Sequence, residues 1–216
     1  MDLSGKSALV VGAGGLGGPA LLVLAAGGVG RLTLVEDDVV ETSNLNRQPL
    51  FAEADLGARK ASAAAARVRS LFPAVRLEAV DARFDAGNAV ELVRAADVVV
   101  DGSDNFSTKF LANDAALRVR VPLVHGGVLR TTAQLLSIVP AGLAGALMGA
   151  EALRLLAGER GAYEGRLFTF EARSGRSRIV LVRKRPGCLA CAGTQPLEGT
   201  APVACEVSTS RPGSTP

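Results

Sequence analysis

The sequence predicts an α/β fold: a doubly wound, mostly parallel sheet with helices on both faces and a short antiparallel C-terminal extension. Three observations predict it. Apolar runs of strand length alternate with segments of helical period as far as residue 126, the pattern of successive βαβ units. A glycine-rich turn joins the first run to the first helical segment. Near residue 140 the rhythm changes, and two strand-like runs follow one another around a turn.

Taken in order, strands are expected at residues 7–12 (SALVVG), 31–36 (RLTLVE), 76–80 (RLEAV), 97–102 (DVVVDG) and 122–126 (PLVHG). Their Val and Leu content is nearly continuous, as it must be for strands covered on both faces. Helices are expected between them at 19–27 (PALLVLAAG), 60–72 (KASAAAARVRSLF), 89–96 (AVELVRAA) and 109–119 (KFLANDAALRV). Residues 133–139 (AQLLSIV) read as a further strand and 145–158 as a helix stopped by Gly158. Residues 166–172 and 177–184 read as a pair joined by the turn RSGR. From about Pro186 the chain is rich in Pro, Gly, Ser and Thr and has no period, so it is expected to be loop. The expected organisation is a nucleotide-binding domain over residues 1–185, then a CxxC-containing segment and tail over 186–216.

Bulk composition narrows the function classes. With 24 Lys and Arg against 21 Asp and Glu, the net charge of +3 comes without long basic runs or interleaved aromatics, which argues against a nucleic-acid binder. The apolar runs are too short or too interrupted by charge to span a bilayer, so no membrane role is expected. Three cysteines, Cys188, Cys191 and Cys205, all near the C-terminus, do not make a secreted disulfide framework, and a reducing cytoplasm is expected.

The chemistry starts at Gly12-Ala13-Gly14-Gly15-Leu16-Gly17-Gly18. Glycines are needed there because phosphate must approach backbone N–H groups closely, at a helix N-terminus carrying positive partial charge. Glu36, at the end of the second strand, is placed to accept ribose hydroxyls. A Rossmann-like NAD fold would share these features, and the next segment separates the two ligands. Residues 36–48 (EDDVVETSNLNRQ) bring Asp38, Asn44, Arg47 and Gln48 into a loop where a simple dehydrogenase starts a helix. Lys60 then opens the next helix, and Asp104 and Asn105 stand just beyond the fourth strand. In a doubly wound sheet these strand ends converge on one crevice. Together they supply cations for a triphosphate and a carboxylate for Mg²⁺, a cluster that nicotinamide binding does not need. Each residue also has a local alternative: Asn44 and Asp104 suit caps, Arg47 and Lys60 solvated charges, and Glu36 a lysine partner.

The motifs VVGAGGLGGP, SNLNRQ, LGARKA, DGSDNF and VPLVHGG resemble the ThiF/MoeB/HesA proteins, relatives of the ubiquitin-activating enzymes, continuously over about residues 4 to 140 and again from about 145 to 191. The resemblance implies an adenylyltransferase that binds ATP at Gly12, Gly14, Gly15 and Gly17, with ribose on Glu36, phosphates on Asn44, Arg47 and Lys60, and Mg²⁺ on Asp104. Arg47, Lys60 and Asp104 are thereby the expected catalytic residues, with Asp38, Gln48 and Asn105 completing the nucleotide site. The family reaction joins AMP to the C-terminal glycine of a small ubiquitin-like sulfur carrier ending in Gly-Gly, of the ThiS or MoaD type, and family members are homodimers. A non-catalytic nucleotide-binding scaffold and an NAD(P) oxidoreductase are the alternatives.

Three family features are not found in this sequence. The first strand begins almost immediately after Met1, with no arginine-bearing segment ahead of it, so one phosphate ligand is expected to be missing. From Pro140 the chain runs directly into a helical pattern, where a CxxC pair and a mobile loop should follow. Glu36 stands where the family has the shorter Asp. Of the four thiolates that hold zinc in the family, only Cys188 and Cys191 match; Cys205 and His125 are the other candidate ligands, but His125 ends a core-like strand where a buried or hydrogen-bonded imidazole is the commoner role, so less than one tightly bound Zn²⁺ per chain is expected.

Overall fold

The computed structural model describes residues 2–126, 139–171 and 176–182. Five parallel strands form its sheet: β1 (Ser7–Val11), β2 (Arg31–Val35), β3 (Arg76–Val80), β4 (Val98–Asp101) and β5 (Leu123–His125). Their order is β3-β2-β1-β4-β5. The chain winds outward from β1 in one direction, then returns to β1's other side with β4. The topological switch point therefore lies between β1 and β4, where a crevice opens at the strands' carboxyl ends.

Helices cover both faces, as the continuous apolar strands require. α1 (Gly17–Ala26), α2 (Lys60–Leu71) and α5 (Val139–Leu156) lie on one side, over a core that includes Val10, Leu32, Leu34, Val100, Ala64, Val68 and Ala152. The other face holds α3 (Ala89–Arg94) and α4 (Phe106–Val119), with Leu9, Val11, Val35, Val99, Val93 and Ala115 between sheet and helices. Fully burying a Leu or Val contributes about 1.5–3 kcal/mol, so these two layers hold the sheet flat against its helices. α1 and α5 approach closely because glycines face the contact: a Cβ on Gly149 would stand 2.7 Å from Val23, and one on Gly27 would stand 2.6 Å from Leu153.

The expected elements are all found over residues 7–126, and helices on both faces confirm the doubly wound reading. One boundary differs. Val139, expected to end a strand, opens α5, with Pro140 in the first turn, where its fixed φ suits a helix and its missing N–H has no partner to lose. Residues 133–138 of that expected strand lie outside the described residues. α5 stops at Leu156, and Gly158 follows in the left-handed region at φ 76°. The expected C-terminal pair is β6 (Arg166–Glu171) and β7 (Arg176–Leu181), antiparallel and separate from the main sheet. No helix among the described residues is long and apolar enough to cross a membrane.

Candidate nucleotide-binding crevice

Strand register sets the geometry of the crevice. Val35, Val11, Asp101 and His125 pair in one row across β2, β1, β4 and β5. Glu36, Gly12, Gly102 and Gly126 lie one residue beyond, and the N–H of each donates to the neighbouring strand: Gly12 to Val35, Glu36 to Val80, Gly102 to Val11 and Gly126 to Asp101, at 2.9 to 3.3 Å. The site residues thus leave the sheet at one level.

Glycine is obligatory at three positions on that edge. Gly12 has φ 87°, in the left-handed region, and turns the chain off β1. A Cβ on Gly17 would fall 1.8 Å from the Gly12 carbonyl oxygen, and one on Gly102 would fall 2.5 Å from the Gly17 nitrogen. The loop, the start of α1 and the end of β4 are therefore packed backbone on backbone. Gly14 differs, because a Cβ there would meet only Gln48 Nε2, at 3.6 Å. The N–H groups of Gly14 and Gly15 have no acceptor among the described residues. Gln48, only 5% exposed, holds its Oε1 buried beside this loop without a hydrogen-bond partner. An unsatisfied buried acceptor costs about 1–3 kcal/mol, which a ligand hydroxyl or bound water would remove. Free loop donors at a helix start next to an orphaned acceptor fit a phosphate-bearing nucleotide.

Glu36 is buried and anchors the loop rather than pairing with a lysine. Its Oε2 accepts from the Ala13 N–H at 2.8 Å, and its Oε1 accepts from Asp37 and Asp38 N–H at 3.0 Å each. The Glu in place of Asp is what lets the carboxylate reach Ala13, and one lone pair of Oε2 remains for a ribose hydroxyl. Lys60, the first residue of α2 and only 5% exposed, points its ammonium at Asp38 Oδ2, 2.9 Å away. Its backbone N–H donates to the Asp38 carbonyl at 2.9 Å, which pins the start of α2 to the loop after β2. Asp38 itself is 67% exposed, so the pair is one that an incoming phosphate can displace.

Asn44 and Asn105 have local work as well. Asn44 Oδ1 accepts from Glu41 N–H at 3.1 Å and closes the short turn Thr42–Asn44, while Asn105 Oδ1 caps α4 by accepting from Thr108 N–H at 2.8 Å. Arg47 is held by Nη1 on the Ser43 carbonyl at 2.6 Å, leaving Nε and Nη2 without an acceptor among the described residues. Asp104, just before the α4 cap, is exposed and has no partner among them. The structure therefore joins Gly12–Gly17, Glu36, Asp38, Gln48 and Lys60 directly, and brings Asp104 and Asn105 to the same edge from β4. Cys188, Cys191 and Cys205 lie outside the described residues.

Sequence reasoning missed one cluster. Asp101, at the end of β4, is fully buried, and its Oδ1 accepts from Ser103 Oγ at 2.6 Å and Ser103 N–H at 3.0 Å. Its Oδ2 lies 3.1 Å from Lys109 Nζ and 2.7 Å from His125 Nδ1. Burial pushes this carboxyl up, but hydrogen bonds from His125 and Ser103 and the Lys109 charge outweigh it and hold it below the usual aspartate value. A carboxyl lowered in the folded state adds stability at neutral pH that is lost as acid titrates it. The available signal was Asp101 itself, an acid ending an otherwise apolar strand.

Comparison with known proteins shows the family and the fold. Residues 1–142 match the model of the ThiF family. The SAMP-activating enzyme E1 of Haloferax volcanii is 40% identical, over 88% of this chain and 81% of its own length. The sulfur carrier protein adenylyltransferase of Thermus thermophilus is 37% identical, over 91% and 85%. The mouse adenylyltransferase and sulfurtransferase MOCS3 is 39% identical over 90% of this chain, which spans 49% of that protein. Crystal structures of E. coli MccB with succinimide and of PaaA share the fold, at TM-scores of 0.78 and 0.72 and identities of 18% and 21%. They cover 88% and 85% of this chain, which spans 66% of each. The Haloferax alignment runs over 219 residues yet uses 88% of the 216 residues here, about 190, so about 29 positions of the relative face no residue in this chain. The chain belongs to the ThiF family, whose relatives matched here include adenylyltransferases and activating enzymes, and it is a shortened member of that family.

Proposed function

We propose that this protein is an ATP-dependent adenylyltransferase that activates the C-terminal glycine carboxylate of a small ubiquitin-like sulfur carrier of the ThiS or MoaD type. The observation that carries the reading is the glycine loop with free N–H donors beside the orphaned Gln48 Oε1, together with a buried Lys60 held on Asp38 of the loop after β2. The loop and Lys60 receive the phosphates, Arg47 adds charge from the other side, and Glu36 receives the ribose. Asp104 would hold Mg²⁺, which supplies charge neutralisation on the phosphates when bound. The carboxylate attacks the α-phosphorus, the bond to the bridging oxygen breaks, and pyrophosphate leaves. No side chain acts as nucleophile, so this chain contributes position and positive charge. Homodimerisation is part of the proposal, by analogy with the family.

The shortening favours a second reading, a nucleotide-binding scaffold without turnover. In the adenylyltransferase reading, the family loop expected after Pro140 would have guided the carrier tail, and well-oriented reactants gain effective molarities of about 10⁵ M or more. ATP–pyrophosphate exchange with a purified ubiquitin-like carrier ending in Gly-Gly separates the two. Slow exchange is expected, rising when a family-type loop is inserted after Pro140 while ATP affinity is unchanged. MgATP binding without exchange, with or without the insertion, would make the protein a scaffold. Fast exchange that the insertion does not improve would show that the shortening is harmless.

A further inference from the structure

We propose that His125 receives the acceptor carboxylate: held by Asp101 at the end of β5, its imidazolium donates from Nε2 to the terminal carboxylate of the incoming tail. The proposal rests on the adenylyltransferase reading and names the acceptor's contact within it.

Position is the first argument. Glu36, Lys60 and Arg47 place the nucleotide on the β1–β2 side of the switch point, which leaves the β4–β5 side for the second substrate. His125 pairs with Asp101, which pairs with Val11, so two strand spacings separate it from the root of the glycine loop, about 10 Å. That is within reach of a tail whose end must meet the α-phosphate.

The second argument is that Asp101 has other partners besides His125. Its Oδ1 takes two bonds from Ser103, and its Oδ2 takes the Lys109 ammonium. The carboxylate would stay satisfied and neutralised without the imidazole. His125, by contrast, is fixed by Asp101: Nδ1 is committed at 2.7 Å, the ring is 44% exposed, and Nε2 has no partner among the described residues. A ring oriented by a buried acid and presenting its other nitrogen at a crevice is built to contact something there.

Charge gives the chemical class. Asp101 and Lys109 cancel, so a protonated His125 brings one uncompensated positive charge to the exposed side. Among the described residues, the groups near it are Asp101, which it touches, Ser103 and Lys109, which share Asp101 with it, and uncharged Met148 of α5 beside Gly126. Glu151 of α5 is occupied by the N–H groups of Ala162 and Tyr163. The site therefore takes an anion, and a carboxylate is the anion this reaction must add next to ATP.

His125 is the only histidine in the chain, so its ring is read by ¹⁵N NMR without assignment. Adding a purified ubiquitin-like carrier ending in Gly-Gly is expected to shift the imidazole nitrogens, and the same carrier lacking the two glycines is expected not to. In exchange kinetics, His125→Gln should raise KM for the carrier about tenfold or more and leave kcat and KM for ATP nearly unchanged, the size of one charge-assisted hydrogen bond. His125→Lys, which keeps the charge, should recover part of the loss. Wild-type exchange with an unmoved imidazole and an unaltered carrier KM in His125→Gln overturns this role and leaves the adenylyltransferase reading intact. No exchange and no imidazole shift overturns both.

Discussion

Lys60→Ala is expected to lower ATP–pyrophosphate exchange on the order of 10²-fold and to weaken MgATP binding by tenfold or more. Among the described residues, Lys60 is the cation of the crevice that is almost fully buried, its position is set by a backbone bond to Asp38, and its side-chain partner is an exposed carboxylate. A charge in that setting is already desolvated and oriented when phosphate arrives, so little is spent reorganising it. Stability should change much less, because the lost pair has one partner in solvent. Arg47→Ala is the informative companion: it should cost ATP affinity more than AMP affinity, because the guanidinium acts beyond the α-phosphate. Isothermal calorimetry with the two nucleotides measures both. Equal losses for ATP and AMP would place Arg47 outside the triphosphate site, and exchange unaffected by Lys60→Ala would remove Lys60 from it.

Gly17→Ala is expected to be among the most damaging single methyl additions at the described residues. The added carbon would fall 1.8 Å from the Gly12 carbonyl oxygen and 2.8 Å from its carbon, both backbone atoms that cannot rotate away. Either α1 moves off the sheet or the glycine loop is displaced, and overpacking of this kind costs about 1–3 kcal/mol or more. For a domain of this size that lowers Tm by roughly 5–10 °C, with ATP binding lost as well. Gly14→Ala is the contrast, since its methyl would meet only Gln48 Nε2, at 3.6 Å. It should keep the wild-type Tm and lose affinity only, through crowding of the phosphate path. Thermal melts of the two variants side by side check the pair, and a wild-type Tm for Gly17→Ala would mean that the loop does not pack as described.

The central strands β1 and β4 were legible because burial on both faces writes itself as a nearly continuous apolar run, and the others because short apolar runs recur between helical segments. The glycine loop and SNLNRQ were legible for a similar reason, since each demands particular residues at fixed spacing. Two kinds of fact were not. One is the local work of Asn44, Asn105 and Glu36, whose hydrogen bonds to nearby backbone groups depend on loop geometry that spacing does not specify. The other is the Asp101–Lys109–His125 cluster, which joins β4, α4 and β5 and exists only once the sheet has placed β5 beside β4. The start of α5 was misjudged because Ser137, Ile138 and Val139 favour a strand by themselves, whereas Pro140 and the helix packed on α1 decide in favour of a helix at Val139.

We propose that the crevice is built for a metal–triphosphate and not for a dinucleotide. In that proposal the free N–H donors at Gly14 and Gly15, the buried Lys60 ammonium, Arg47 with unspent donors and the Asp104 carboxylate, which has no partner among the described residues, act on one ligand, and nicotinamide has no use for the last three. Titration calorimetry of the wild-type protein with MgATP and with NAD tests this most directly. The account predicts saturable MgATP binding that weakens when magnesium is chelated or when Asp104 is changed to Ala, with NAD bound at least tenfold more weakly. NAD binding as tight as MgATP, or ATP affinity indifferent to both magnesium and Asp104, would contradict it.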